Sequence, residues 1–239
     1  TKRIAIRLGM PERVTEDVAV GSEDIQALEI APFDRAGYSA LRTMSEVYTW
    51  IEKIIDRGYV SVDTETTSLK EMQAKLVGIS LCVEPGEACY IPLAHKAGAS
   101  DDLFLTDSLA EGQLPLVDVL GALKPILEDP AILKIGQNMK YDAKIFARNG
   151  IRVHPIDDTM LISYALHAGL HGHGMDALSE RYLSHSPIPI KKLLGSGKSA
   201  ITFDRVSIED AIPYAAEDAD ITLRLWQVLK PVSYTHLRA

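Results

Sequence analysis

Residues 60–69 read VSVDTETTSL, and the fold is read outward from them. Tyr59, Val60 and Val62 give the start of this stretch the composition of a β-strand. Two carboxylates, Asp63 and Glu65, stand two residues apart near its end. Side chains at i and i+2 of a strand leave on one face, so both acids converge on the same side of a sheet. Carboxylates held together repel unless a proton or a cation neutralises them. Hard oxygen ligands of this kind suit Mg²⁺ or Mn²⁺. Taken alone, the same pattern also fits a strand that ends in a polar turn.

The flanks set this strand in an α/β context. Upstream, TMSEVYTWIEKIIDRG places Val47, Trp50, Ile51, Ile54 and Ile55 at helical spacing, with Ser45 as the expected N-cap and Gly58 as the stop. Downstream, KLVGISLCVE and EACYIPL are separated by Pro85-Gly86 and predict a β-hairpin. The stretch PLVDVLGALKPILED, from Pro115, predicts a helix kinked or split at Pro125. A short strand, ILKIG, then leads into a helix through KYDAKIFARNG that closes at Gly150. DDTMLISYALHAG and MDALSERYL predict two more helices. SIEDAIPYAAEDADITLRLWQVLK predicts a long last one, capped by Ser207 and regular from about Pro213. This order suits a mixed β-sheet flanked by α-helices.

Three further residues bear on the chemistry. Asp142, in GQNMKYDAKIF, falls in the first turn of a helix that follows a buried strand. Tyr214 and Asp218, in YAAEDAD, are four apart and share one helix face. Together with Asp63 and Glu65 this makes four carboxylates, enough to cradle two ions roughly 3.5–4 Å apart around a phosphodiester. Tyr214 would orient the attacking water or help deprotonate it.

DTET, GQNMKYD and YAAEDAD resemble, in the right order, the three motifs of the DEDD exonuclease superfamily, and Tyr214 marks its tyrosine subclass. Within that subclass the chain is similar to the 3′→5′ proofreading exonuclease domain of bacterial family A DNA polymerase I. The similarity extends over residues 38–230, through spacers such as DDTMLISYAL, GMDALSERYL and ITFDRVSIEDA. Met139 stands in the second motif where related sequences often carry leucine, a volume-conserving change. The resemblance implies an RNase H-like fold and two divalent metal ions, Mg²⁺ or Mn²⁺, held by Asp63, Glu65, Asp142 and Asp218, with Tyr214 positioning water. It implies contacts to the 3′-terminal nucleotide from Thr66, Leu69, Gln137, Asn138 and Tyr141, and weaker ones from Arg181 and Phe203. The substrate expected is a single-stranded or frayed DNA 3′ end, hydrolysed to nucleoside monophosphates in DNA replication and repair. A polymerase domain is expected to adjoin covalently, in a cytoplasmic, monomeric protein with no membrane association. The alternatives are an RNase D-like RNA exonuclease and a catalytically inactive structural module beside a polymerase.

Composition narrows the classes further. The 239 residues are 46% hydrophobic and 24% charged, an ordinary globular balance. No apolar run approaches the roughly 20 residues that span a bilayer, and the N-terminus lacks a signal-peptide core. A net charge of −8, from 25 Lys+Arg against 33 Asp+Glu, argues against a protein that coats nucleic acid. Cys82 and Cys89 are expected as free thiols. Residues 1–37 read as a linker or the tail of a preceding domain, with a possible short helix. Residues 231–239 read as a non-native tail, since VSYTHLRA breaks the helical pattern after Pro231. GSGKS at 195–199 is no phosphate loop, because the pattern needs glycine where Lys192 stands. The HGHG histidines, His171 and His173, are read as structural.

Overall fold

The computed structural model describes residues 32–97 and 108–236. The residues before 32, including the possible helix there, and residues 237–239 lie outside the described part. In chain order the elements are β1 (Ser39–Ala40), α1 (Met44–Arg57), β2 (Tyr59–Thr66), β3 (Leu76–Glu84), β4 (Glu87–Pro92), α2 (Leu116–Leu127), β5 (Leu133–Gly136), α3 (Met139–Arg148), β6 (Ile156–Asp158), α4 (Thr159–His167), α5 (Met175–Leu178), α6 (Lys191–Leu194) and α7 (Ile208–His236).

The strands form one six-stranded sheet in the order β1-β4-β3-β2-β5-β6. β2–β3 and β3–β4 pair antiparallel; β1–β4, β2–β5 and β5–β6 pair parallel. Both faces are covered, so β3 is buried along almost its whole length. Alternation divides the side chains cleanly. Val60, Val62, Ile79, Leu81, Val83, Cys89 and Ile91 pack with α1, α2 and α3. Cys82, Ala88 and Tyr90 meet α7 on the other face through Ala211, Ala215, Ala216 and Ala219. Alanines at 211, 215, 216 and 219 let the helix axis approach the sheet closely, which is what brings its polar residues onto the strand ends.

Four details differ from the sequence reading or refine it. The N-cap of α1 is Thr43, not Ser45: Thr43 and Glu46 form a reciprocal capping box, while Gly58 ends the helix at φ 71° as expected. Pro125 neither splits nor ends α2, because it lies in the last turn while Leu123, Ile126 and Leu127 remain buried. α7 is helical from Ile208, ahead of Pro213, and runs through Pro231 to His236. Ser207 accepts the Asp210 N–H at 3.1 Å and starts it. Burying the alanine face on the sheet outweighs the roughly 3 kcal/mol that an interior proline costs. Finally, Cys82 and Cys89 are free and buried. The register pairs Leu81 with Cys89 and Cys82 with Ala88, so the two thiols leave on opposite faces.

The segment that leads into the domain is docked, not loose. Arg35 donates to Glu217 at 2.6 Å and Tyr38 to Asp220 at 2.8 Å, neither acid lining the cleft described below. Phe33 stacks on His185 at 3.6 Å, with the Arg224 guanidinium 4.1 Å from its other face.

Candidate active site

β2 carries Asp63 and Glu65 toward α7. Tyr214 and Asp218 come down onto them from the N-terminal half of that helix. Carboxylate oxygens of Asp63, Glu65 and Asp218 lie within 4.8 Å of one another. The Tyr214 phenol stands beside the Asp218 carboxylate, one helical turn away.

Asp142 is not one of these three converging acids, but another route brings it near Asp63. β5 pairs with β2 only as far as Ser61, so beyond that point the side of β2 facing β5 has no strand beside it. There the first turn of α3 moves in, and Asp142 Oδ1 accepts the Thr64 N–H at 3.1 Å and the Thr64 hydroxyl at 2.5 Å. The residue between the two strand acids thus holds the fourth acid, Asp142. The N-terminus of α3 is itself held by Asp158. This carboxylate accepts the N–H groups of Asn138 at 3.1 Å and Met139 at 2.9 Å. It also caps α4 through the N–H groups of Met160 and Leu161. Asn138 sits in the left-handed region, φ 59°, which asparagine tolerates and most residues do not.

Burial and mutual repulsion dominate the electrostatics. Burial lifts the Asp63 carboxyl to about 6. Glu65 is pushed well above its ordinary range by burial and by the charges of Asp63, Asp218 and Asp142. Burial and the Asp63 charge push Asp142 and Asp218 the same way. Asp63 is therefore the common neighbour of all three others. Glu65 Oε1 is buried with no hydrogen-bond partner. A converging set of unneutralised oxygens with an orphaned acceptor fits a divalent cation bound by hard ligands. Burial and the Asp218 charge raise the Tyr214 phenol far above its ordinary range, so it stays protonated and donates hydrogen bonds.

A cleft of about 410 Å³ opens over the acids. Of the residues assigned by resemblance to substrate contact, Thr66, Leu69, Gln137, Asn138, Tyr141 and Phe203 line it, and Arg181 does not. Leu69 is 92% exposed at the tip of the loop after β2. Its base is closed by Thr67 N–H to the Lys75 carbonyl and clasped by Arg148, which donates to the carbonyls of Glu71 at 2.7 Å and Ala74 at 2.5 Å. The Tyr141 hydroxyl lies 2.5 Å from Thr66 Oγ1 and donates to the Ser68 carbonyl, so its ring forms a fixed wall. Gln137 is committed internally: its amide donates to the His173 carbonyl at 2.9 Å and accepts from Thr159. Phe203 is 2% exposed and lies behind Tyr214, ring centroids 6.0 Å apart, which makes it a support for that tyrosine. Arg181 is exposed and stacks over Tyr182 at 5.8 Å. His173 Nδ1 bonds the Ser163 hydroxyl at 2.8 Å and His171 Nε2 the Tyr182 hydroxyl at 3.2 Å, consistent with structural roles.

The sequence reading missed Thr64 and Asp158. Thr64 lies inside the first motif, but its role depends on Asp142 and has no local signature. Asp158 showed as a helix start in DDTML, but its reach to a second helix depends on β6 lying beside β5.

Comparison with known proteins agrees with this geometry. The sequence model of the 3′-5′ exonuclease family matches residues 38–233. DNA polymerase I of Rhizobium leguminosarum is 49% identical over 215 residues, covering 86% of this chain and 21% of that protein. The chain thus spans about a fifth of the length of this relative. Among solved structures, Escherichia coli RNase D superposes with a TM-score of 0.61 at 19% identity, covering 83% of this chain and 45% of that one. Brucella melitensis NrnC with bound Mg²⁺ gives a TM-score of 0.52 at 22% identity, covering 76% of this chain and 74% of that one. At these identities the structures speak for the fold alone, an RNase H-like one. The chain belongs to the 3′-5′ exonuclease family, as the exonuclease domain found in DNA polymerase I proteins.

Proposed function

We propose that this domain removes nucleotides from DNA 3′ ends by two-metal phosphodiester hydrolysis, as the proofreading part of a DNA polymerase I. The observation that carries the reading is the convergence of Asp63, Glu65 and Asp218 oxygens within 4.8 Å, with Tyr214 above them. Asp63, Glu65 and Asp218, with Asp142 nearby, would hold the divalent ions, Mg²⁺ or Mn²⁺. Ions bound there would supply Lewis-acid activation of water and offset the negative charge of the phosphodiester.

The chain's own groups do the rest. Tyr214, held protonated, orients water toward the phosphorus by donating and accepting hydrogen bonds. Leu69 wedges against the terminal base from its exposed loop tip, and Tyr141 forms the opposite wall. The exposed Asn138 amide is free to meet sugar or phosphate, and Thr66 borders the same space. We place Gln137 and Phe203 one layer back, supporting the HGHG loop and Tyr214. Arg181 is left to contacts beyond the terminal nucleotide. Residues 38–230 act as the catalytic unit, with residues 1–37 joining it to what precedes and 231–239 serving no catalytic purpose. A covalently adjoining polymerase domain supplies the frayed primer end, in a monomeric cytoplasmic protein. No helix among the described residues is long and apolar enough to cross a membrane.

The test is product analysis with Mg²⁺ on a 5′-labelled single-stranded DNA and on an RNA of the same sequence. Stepwise shortening from the 3′ end of the DNA, with the RNA cut more slowly, is expected. Preference for RNA would move the assignment to RNA trimming, and no cleavage of either would refute hydrolysis.

A further inference from the structure

Behind Glu65 lies a buried pair that the catalytic reading does not use. Ser80 pairs with both Asp63 and Tyr90, so Tyr90 leaves β4 on the face that carries the acids. Gly78 stands opposite Glu65. A Cβ at Gly78 would lie 2.1 Å from the Tyr90 hydroxyl, so the tyrosine ring occupies the space a side chain would take beside Glu65. Tyr90 is fully buried, and its hydroxyl lies 2.7 Å from His95 Nε2. On the other side of the imidazole, Nδ1 lies 2.9 Å from the Val206 carbonyl oxygen. A carbonyl only accepts, so Nδ1 carries the hydrogen and Nε2 accepts from Tyr90.

His95 is equally fixed through its backbone. Its N–H donates to Gln113 Oε1 at 2.6 Å, and its carbonyl accepts from Gln113 Nε2 at 2.9 Å. The next residue, Lys96, donates its N–H to the Asp204 carbonyl at 2.7 Å. Residues 203–206 lead directly into Ser207, the cap of α7. The His95 ring also lies 5.9 Å from Phe203, which in turn backs Tyr214. One imidazole therefore joins the strand side of the site to the helix side. It is fully buried and absent from the cleft lining, so it does not meet substrate.

We propose that His95 is a positioning residue: by joining Tyr90 to Val206 it fixes the lead-in of α7, and with it Tyr214 and Asp218, against the strand that carries Glu65. This rests on the two-metal reading given above. Partners that orient metal ligands from behind typically change metal affinity or activity by about 10–100-fold when removed.

The test uses Mn²⁺ calorimetry, kcat and KM on a single-stranded DNA, and melting temperature. His95→Ala is expected to weaken Mn²⁺ binding and lower kcat by about 10–100-fold with little change in KM. His95→Gln, which offers one donor and one acceptor at similar spacing, is expected to recover most of the loss. Tyr90→Phe keeps the ring over Gly78 but loses the bond, and is expected to fall between the two; it carries the test if His95→Ala does not fold. Unchanged Mn²⁺ affinity and kcat in the folded variants, with only a lowered melting temperature, would overturn the proposal. Failure of the unsubstituted chain to bind Mn²⁺ would instead overturn the metal reading itself, and this inference with it.

Discussion

Thr64→Val isolates the link between the first and second motifs. Valine keeps the branched shape that suits β2 but removes the hydroxyl that Asp142 Oδ1 accepts at 2.5 Å, leaving only the main-chain N–H at 3.1 Å. A hydrogen bond to a charged group contributes about 1.5–3 kcal/mol. If that energy serves to hold Asp142 toward the metal site, its loss corresponds to roughly 10- to 150-fold in metal affinity or in rate, at about 1.4 kcal/mol per tenfold. The assay is Mn²⁺ titration by calorimetry, paired with single-turnover release from a labelled DNA. Thr64→Ser, which keeps the hydroxyl, should behave nearly as the unsubstituted chain. Equal affinity and rate in Thr64→Val and Thr64→Ser would refute the idea that this hydroxyl positions Asp142.

Three further outcomes follow from the same geometry. In the metal-free chain the Asp63 carboxyl, raised to about 6, keeps its proton in the folded state over a range where the unfolded state has lost it. Stability without metal should therefore fall as pH rises from about 4 through about 6, by melting in EDTA, and divalent-ion affinity should rise with pH through the same window as protons are displaced. Asp158→Ala removes the acceptor for four N–H groups at two helix starts, and should cost about 1–4 kcal/mol in denaturant unfolding while also weakening Mn²⁺ binding through α3. Leu69→Ala, at a side chain 92% exposed, should leave stability within about 0.5 kcal/mol but raise KM for single-stranded DNA, by up to about 2 kcal/mol of lost apolar contact.

The parts of the site legible in sequence are those encoded locally. Asp63 and Glu65 share a strand face, Tyr214 and Asp218 a helix face, and both spacings follow from backbone periodicity. The hairpin and its turn were legible for the same reason, whereas the free cysteines were expected from redox chemistry and not from spacing. The supports were not. Thr64 meets Asp142 across 78 residues and His95 meets Val206 across 111, separations at which spacing carries no information. The capping error at Ser45 arose because Thr43 and Ser45 have similar capping chemistry, and only the reciprocal Glu46 contact distinguishes them. The prolines misled in one direction: Pro125, Pro213 and Pro231 all lie inside helices. Pro125 falls in a last turn, and Pro213 lies where the alanine face of α7 is pressed onto the sheet, so burial overrides the local preference. Gln137 and Phe203 line the cleft and also make inward contacts, which only the fold reveals.

The most direct measurement is of Asp63→Ala/Glu65→Ala in parallel with the unsubstituted chain. Mg²⁺-dependent release of mononucleotides from a DNA 3′ end, and Mn²⁺ binding, are compared in the two. Both are expected to be lost in the double variant. The metal-free melting temperature is expected not to fall, because two crowded, mutually repelling carboxylates, Glu65 buried and Asp63 half-buried, have been removed. Release or Mn²⁺ binding that survives in the folded double variant would contradict the metal reading.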